Sequence, residues 1–291
     1  EADLVHMGRD HHLAPLAGTA PDDALFQRIM SVMVGEPVER EFIELAFDQC
    51  GFRPWTDRSQ LAGRAPRPAG FKVLVIGAGM TGMAAATKLA EAGYDYVVIE
   101  KNPEVGGTWY ENRYPGVGVD TPSHFYSFSW EIWPDWQHYH PQGADMQRYM
   151  VEVADKYDLR RKMRFGTTVE TLVYDEATST WRVTVRGADG TAEALVVNAV
   201  INGHGPVNRF KWPDSPGLAD FNGPVVHTAA WPEDLDLAGK RVAVIGSAAS
   251  AAQLVGAIAP EVAALNVYQR TPHGVIFNPE IAHAVDEGMK W

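Results

Sequence analysis

Gly77-Ala78-Gly79-Met80-Thr81-Gly82 is a complete G-x-G-x-x-G, and Glu100 stands 23 positions after its first glycine. Each residue type has a mechanical reason. Gly77 permits a tight strand-to-helix turn, Gly79 lets backbone approach a pyrophosphate, and Gly82 lets helix and strand pack closely. A carboxylate at Glu100 is placed to accept hydrogen bonds from ribose hydroxyls. A second turn of this kind runs Gly246-Ser247-Ala248-Ala249-Ser250-Ala251. Here the acid's place is taken by Arg270, 24 positions on, followed by Thr271. An arginine beside the ribose suits a 2′-phosphate rather than a bare hydroxyl. The first turn is thus built for a nucleotide with a free ribose and the second for NADPH. Ala251 is an accepted variant, whereas the methyl of Ala248 holds a pyrophosphate slightly farther off. A βαβ unit with no ligand stays open as the alternative for the second turn.

The first turn needs a strand before it and a helix after it. Val73 to Ile76 is a short apolar run of the buried-strand kind, Met83 to Ala92 is helix-like, and Tyr96 to Ile99 makes a second strand ending on Glu100. In the second unit Val242 to Ile245, a helix to Ala259, and Leu265 to Tyr268 repeat the arrangement. Between the units, from Thr167 to Ile201, the period changes to two. Trp181, Val183 and Val185 alternate with polar residues, which predicts an antiparallel meander. Gln147 to Tyr157 reads as a helix. Loop chemistry rich in glycine and aromatics, Gly106 to Asp120, falls where parallel strands would present a ligand. Trp130, Trp133 and Trp136 recur every three residues, and packing is favoured over substrate contact. His138 and His140 lack further ligands at zinc-site spacing, so no metal site is expected. Upstream, Pro21-Asp22-Asp23 opens a helix carrying Leu25, Phe26, Ile29, Met30 and Met33. A second helix is expected from Val38 to Cys50, then a linker at Gly63 to Gly70.

The fold class expected is α/β: two Rossmann-like dinucleotide-binding domains with doubly wound parallel sheets, an antiparallel β insertion and a helical N-terminal extension. The division is 1–66 for the extension and linker, 67–223 for the first nucleotide domain, and 224–291 for the second. Net charge is −12 over 291 residues and the pI about 5.3, so a general nucleic-acid surface is not expected. Cys50 is the only cysteine; no intrachain disulfide can form, and a cytoplasmic location is expected. Residues Glu1 to His12 show no signal peptide, and no apolar run approaches the roughly 18 residues of a membrane span. Because the chain starts on Glu1 rather than Met, an N-terminal piece is expected to be absent.

Two such units joined by an antiparallel insertion resemble the two-dinucleotide-binding-domain flavoproteins. Phe221-x-Gly223-x-x-x-His227-x-x-x-Trp231-Pro232 is similar to the fingerprint of the type I Baeyer–Villiger monooxygenases. Flavin-containing N- and S-monooxygenases have a related motif that generally lacks the final Trp-Pro. Gly107-x-Trp109-x-x-x-Arg113-Tyr114-Pro115-Gly116-x-x-x-Asp120 looks like a second signature of the same family. Thr121 to Ser129, with the helical extension, is similar to the 4-hydroxyacetophenone monooxygenase branch. The resemblance covers about Phe71 to Trp291. It implies bound FAD, reduction by NADPH, and insertion of one oxygen atom of O₂ next to a ketone carbonyl to give an ester or lactone, with aryl ketones the expected class. By the same resemblance Glu100, Gly107, Thr108, Trp109, Asp120 and Tyr126 contact FAD, and backbone near Val169 reaches its adenine end. Gly246, Ser247, Gln253, Arg270 and Thr271 face NADPH. Asp120 pairs with a family arginine expected beyond Trp291 and acts in oxygenation. His227 and Trp231 either govern domain motion or pack between domains.

Two other readings remain: an amine or sulfide monooxygenase with the same cofactors, and a non-catalytic nucleotide-binding half that needs a partner chain. A homodimer through the N-terminal extension is expected. Thr271 to Trp291 is too short to finish a second nucleotide domain. A three-strand half-domain would then leave apolar surface open along Val242 to Ile245, so residues after Trp291 are expected to be removed, disordered or on a separate chain.

Overall fold

The structure is a computed structural model that describes residues 22–34, 36–43, 68–275 and 283–285. It divides into two compact units, Glu1–Arg67 with Phe128–Ile132, and Pro68–Ser127 with Trp133–Trp291. The expectations for residues 1–15, for most of the second helix including Cys50, and for the linker up to Arg67 lie outside the described residues.

In the smaller unit α1 spans Asp23–Val34. Asp22 sits just ahead of it and its Oδ1 accepts the Leu25 N–H at 2.8 Å, satisfying a first-turn donor. Phe26 and Ile43 are buried against Met30 and Val38. Ser31 Oγ, accepting the Val38 N–H at 3.0 Å, ties the following segment back onto the helix. Within Phe128–Ile132 the rings of Phe128 and Trp130 stack at 4.8 Å.

The larger unit begins with β1, Lys72–Ile76, then α2, Met80–Glu91, and β2, Asp95–Ile99. Val73, Leu74 and Val75 are all buried, as the unbroken apolar run requires of a strand covered on both faces. The helix starts at Met80, three residues before the sequence suggests, because Gly79 is its N-cap and Met80–Gly82 form its first turn. Downstream lie α3, Thr108–Glu111, α4, Gly143–Lys156, and β3, Met163–Arg164. Then come β4, Thr167–Asp175, β5, Thr180–Gly187, β6, Ala192–Val197, and β7, Ala199–Asn202.

The parallel sheet has the order β3-β2-β1-β7, and β4-β5-β6 is antiparallel. The meander therefore ends at Val197, not Ile201: β7 leaves it and pairs parallel with β1. The change of sheet takes one residue. Asn198 donates its N–H to Lys72 O and accepts the Lys72 N–H on Oδ1, both at 2.9 Å, so its side chain supplies a ladder bond that backbone would otherwise make. Val183, Val185 and Val197 of the meander pack with Leu74 and Ile99, covering one face of the parallel sheet.

On α4 a capping box joins Gln142 and Asp145, and Met146, Tyr149, Met150 and Val153 turn inward. Trp133 and Trp136 pack against Tyr149 at 6.0 and 5.1 Å, so these two tryptophans are core residues. The second nucleotide unit is β8, Arg241–Ile245, α5, Ala249–Ile258, and β9, Ala264–Tyr268. Among the described residues its sheet pairs two parallel strands, β8 and β9. Ile245 is 66% exposed and Tyr268 58% exposed, while Val244, Leu254 and Ile258 are buried. Among the described residues no helix is long and apolar enough to cross a membrane.

Candidate active site

The first glycine turn leaves no room for side chains. A Cβ on Gly77, whose φ is +89°, would stand 2.8 Å from Gly203 O, and one on Gly82 would collide with Gly77 O. Gly79 faces Gly107 across the turn: a Cβ on Gly107, at φ +53°, would lie 3.0 Å from Gly79 Cα. Gly79 also provides no side-chain cap, so the first-turn N–H groups of α2 have no partner within the helix. Backbone that can be closely approached, at a helix N-terminus, suits a diphosphate. Gly203 was not singled out from the sequence. Its signal is Asn202-Gly203-His204-Gly205 directly after β7, a second glycine pair at a strand's carboxyl end.

Glu100 is 3% exposed. Its Oε2 accepts the Ala78 N–H at 2.6 Å and its Oε1 accepts the Asn102 N–H at 2.8 Å. The carboxylate thus fastens the glycine turn to the loop after β2 and retains lone pairs for a further donor. That loop is tied onward to α3, where Glu111 Oε1 meets Asn102 Nδ2 and Lys101 Nζ, both at 2.8 Å. Val169 is half-buried on β4, beside a break in register before Thr171, and packs under the parallel sheet.

Gly106 donates to Ala78 O at 3.0 Å, bringing the next loop against the first turn. Gln147 of α4 holds it from behind, its Nε2 donating to Val105 O at 2.8 Å. Its Oε1, against Gly106, is buried and has no hydrogen-bond partner among the described residues. Trp109 and Tyr126 meet edge to face, 5.8 Å between centroids at 89°. Burial pushes the Tyr126 phenol up, a hydrogen bond donated by the Trp109 indole N–H opposes it, and the charge of Asp120 adds to the rise. Asp120 therefore lies beside this aromatic pair. Asp120 and Thr108 are exposed.

In the second turn Gly246, at φ +118°, donates to Tyr268 O at 2.8 Å. Ser247 Oγ donates to Thr271 O at 3.3 Å, which sets the Arg270-Thr271 segment beside the turn with Arg270 exposed. The N-cap of α5 is Ala248, again without a side-chain bond to the helix. Gln253, one turn into α5, is taken up by the Arg113–Asp120 loop: Tyr114 OH donates to its Oε1 at 2.7 Å, and its Nε2 donates to Gly118 O at 2.8 Å.

Phe221 is 62% exposed, and its ring lies 2.7 Å from where a Cβ on Gly223 would stand. Phe221 and Gly223 line an open groove of about 550 Å³ together with Trp212, Leu218 and Val225. His227 stacks on Phe210 at 4.4 Å and 21°, with Trp212 edge-on at 5.7 Å. Its Nδ1 accepts the Ala229 N–H at 3.1 Å, which assigns the ring proton to Nε2, and burial lowers its pKa. Trp231 packs on the core of the second unit with Val244, Leu254 and Ile258, and Pro232 follows it. Phe210 and Trp212 escaped the sequence reading; the signal was two aromatics at alternate positions just ahead of the fingerprint. His138 Nδ1 lies 2.7 Å from Asp145 Oδ2. Among the described residues no group of three or more histidines, cysteines and acids could hold a metal ion.

Residues 75–140 match the family model for an NAD(P)-binding Rossmann-like domain. Residues 134–281 match that for L-lysine 6-monooxygenase/L-ornithine 5-monooxygenase. An uncharacterized monooxygenase of Sinorhizobium fredii is 37% identical over 97% of this chain and 42% of its own length. A Baeyer–Villiger monooxygenase of Streptomyces coelicolor is 42% identical over 74% of this chain and 40% of its own. The crystal structure of cyclohexanone monooxygenase from Rhodococcus sp. Phi1, bound to NADP⁺, superposes with a TM-score of 0.67 at 39% identity, covering 75% of this chain and 41% of that one. The chain spans less than half the length of these curated relatives. The class they share is that of monooxygenases, and the chain belongs to the Baeyer–Villiger monooxygenase family of flavoproteins, the cyclohexanone monooxygenase-like group.

Proposed function

We propose that the protein of which this chain is part is an FAD- and NADPH-dependent Baeyer–Villiger monooxygenase that converts a ketone to an ester or lactone. One observation carries the reading: two glycine turns lie in one unit, one backed by a buried acid and the other flanked by an exposed arginine. FAD would lie with its diphosphate over Gly77, Gly79 and Gly107 and its ribose at Glu100, and Trp109, Asp120 and Tyr126 would reach its reactive end. NADPH would lie on Gly246 and Ser247, with Arg270 and Thr271 at its 2′-phosphate. When bound, these groups supply hydride transfer, O₂ activation and delivery of one oxygen atom.

The chain's own residues bind, orient and set charge. The free N–H groups at the N-termini of α2 and α5 meet phosphate. The Trp109–Tyr126 pair presents an apolar wall that excludes water, and Tyr126 keeps its proton and can donate it in a hydrogen bond. Asp120, next to that wall, holds a cation of the complete protein in place. His227, neutral and with its ring proton on Nε2, lies on the segment that joins the two nucleotide-binding βαβ motifs. Aryl ketones are the substrate class favoured by the Thr121–Ser129 segment.

The test is the full-length protein with ¹⁸O₂, NADPH and a panel of aryl and aliphatic ketones. Flavin absorption bands and a single ¹⁸O in an ester product are expected; a flavin-free protein or absence of labelled ester overturns the reading. The lysine/ornithine monooxygenase match over residues 134–281 favours amine N-oxygenation as a second reading. An amine offered together with the ketone separates the two.

A further inference from the structure

We propose that Gln253 is a latch that fixes the Asp120 loop to helix α5, and so acts as a positioning residue for the first nucleotide site although it stands in the second. The latch rests on contacts within the chain; the site it serves rests on the function proposed above.

Gln253 makes both of its bonds across the two nucleotide units. Tyr114 OH donates to Oε1 at 2.7 Å and Nε2 donates to Gly118 O at 2.8 Å. A backbone carbonyl only accepts, so the amide can point its nitrogen to Gly118 in one orientation alone. The phenol between them is 5% exposed and packs with Val244, Leu254 and Ile258. Gly116 makes the approach possible. It sits at φ +79°, and a Cβ there would stand 2.6 Å from Gln253 O and 2.9 Å from Ala257 Cβ. The loop therefore rests with bare backbone on the face of α5 that carries Gln253.

The same short segment is held on its other side. Val119 donates to Pro141 O and Gly143 donates to Val117 O, each at 2.9 Å. Residues 117–119 are thus clamped between the N-terminal end of α4 and Gln253, and Asp120 is the first residue to leave the clamp. Any displacement of α5, whose N-terminus is the second phosphate site, is passed through Gln253 to Gly118 and on to Asp120. The amide is the one side chain on α5 with bonds to both the ring and the backbone of that loop among the described residues.

Hydrogen–deuterium exchange on the full-length protein, read at residues 117–120 and at α5, tests this without added cofactor. Gln253→Ala is expected to raise exchange at 117–120 about tenfold while leaving α5 protected, since it frees the Gly118 carbonyl and leaves Tyr114 only its Ser250 hydrogen bond to α5. Tyr114→Phe, which keeps the ring in its core, is expected to give part of that rise. The double variant should exceed Gln253→Ala by less than twofold, because both act on one latch. NADP⁺ titration of Gln253→Ala should stay within twofold of wild type. With FAD added, its bound absorption spectrum should shift in Gln253→Ala, a change that looser helix packing alone would not produce. Unchanged exchange at 117–120, or equal loosening of α5, overturns the latch. A tenfold loss of NADP⁺ affinity with the loop still protected overturns it too, and makes Gln253 a nucleotide ligand. A missing flavin spectrum in wild type would count against the FAD assignment and leave the exchange result to decide.

Discussion

Glu100 shows how one side chain can serve structure and ligand together. Its carboxylate gathers the Ala78 and Asn102 N–H groups at 2.6 and 2.8 Å, so removing it is expected to loosen the glycine turn as well as to delete the ribose acceptor of the proposed FAD site. Glu100→Ala is expected to weaken FAD binding by on the order of 2–4 kcal/mol, one to two charge-assisted hydrogen bonds. Equilibrium titration with FAD measures it, and retention of FAD through gel filtration would refute it. His227 gives a pH signature. Burial lowers its folded-state pKa below the unfolded value, so the unfolded chain binds the proton more readily. Its contribution to stability is full above about pH 6.5, the unfolded pKa, and is lost as pH falls through the folded value. His227→Phe, which keeps a ring on Phe210, is expected to lose less Tm than wild type between pH 7.5 and 5.5. Equal losses in the two proteins would exclude the effect. Glu100 was legible in the sequence because strand spacing fixes its place relative to Gly77. The neighbours of His227 were not, because the Phe210 and Trp212 contact depends on how an irregular segment reverses at the turn Leu218–Asp220.

At the scale of elements, the repeated βαβ pattern was readable to within three residues, since buried parallel strands leave unbroken apolar runs. The boundary at Asn198 was not readable: β6 and β7 are both short and apolar, and only pairing partners distinguish them. Arg270 follows β9 in the place Glu100 takes after β2. In the full-length enzyme Arg270→Ala is expected to raise the KM for NADPH at least tenfold and barely alter that for NADH. Equal losses for both coenzymes would show that Arg270 does not read the phosphate. The loop that meets α5 offers a stability test. Gly116→Ala places a methyl in a left-handed conformation, costing ~1–2 kcal/mol, and drives it against Gln253 O. A loss above ~2 kcal/mol in urea unfolding is expected. Gly190→Ala is the control, with a φ of +85° and nothing within 4 Å of the added methyl, and should lose only the conformational part.

Across the whole molecule, the function proposed above requires that the charge at Asp120 and the arriving coenzyme be coordinated. Asp120→Ala in the full-length protein is expected to consume NADPH at near the normal rate and release hydrogen peroxide in place of ester. Parallel measurement of NADPH, peroxide and ester checks this, and an undiminished ester yield would exclude the role. The architecture as a pair of Rossmann-like units was legible because glycine turns and strand periods are local. The Tyr114–Gln253 contact, 139 positions apart, has no local signature.

The single-residue step from β6 into β7 sets a clock on biosynthesis. Lys72 waits for Asn198, 126 positions later, so β1 emerges from the ribosome on the order of ten seconds before its second neighbour at ~5–20 residues per second. During that interval one edge of the central strand has no β7 to cover it, and an open apolar edge is a template for wrong pairing. The sheet cannot close until the whole meander has been translated and turned. Slowing translation between residues 77 and 199 is therefore expected to lower the folded yield while leaving the urea-unfolding midpoint of the finished protein unchanged, and equal yields at both speeds would refute it.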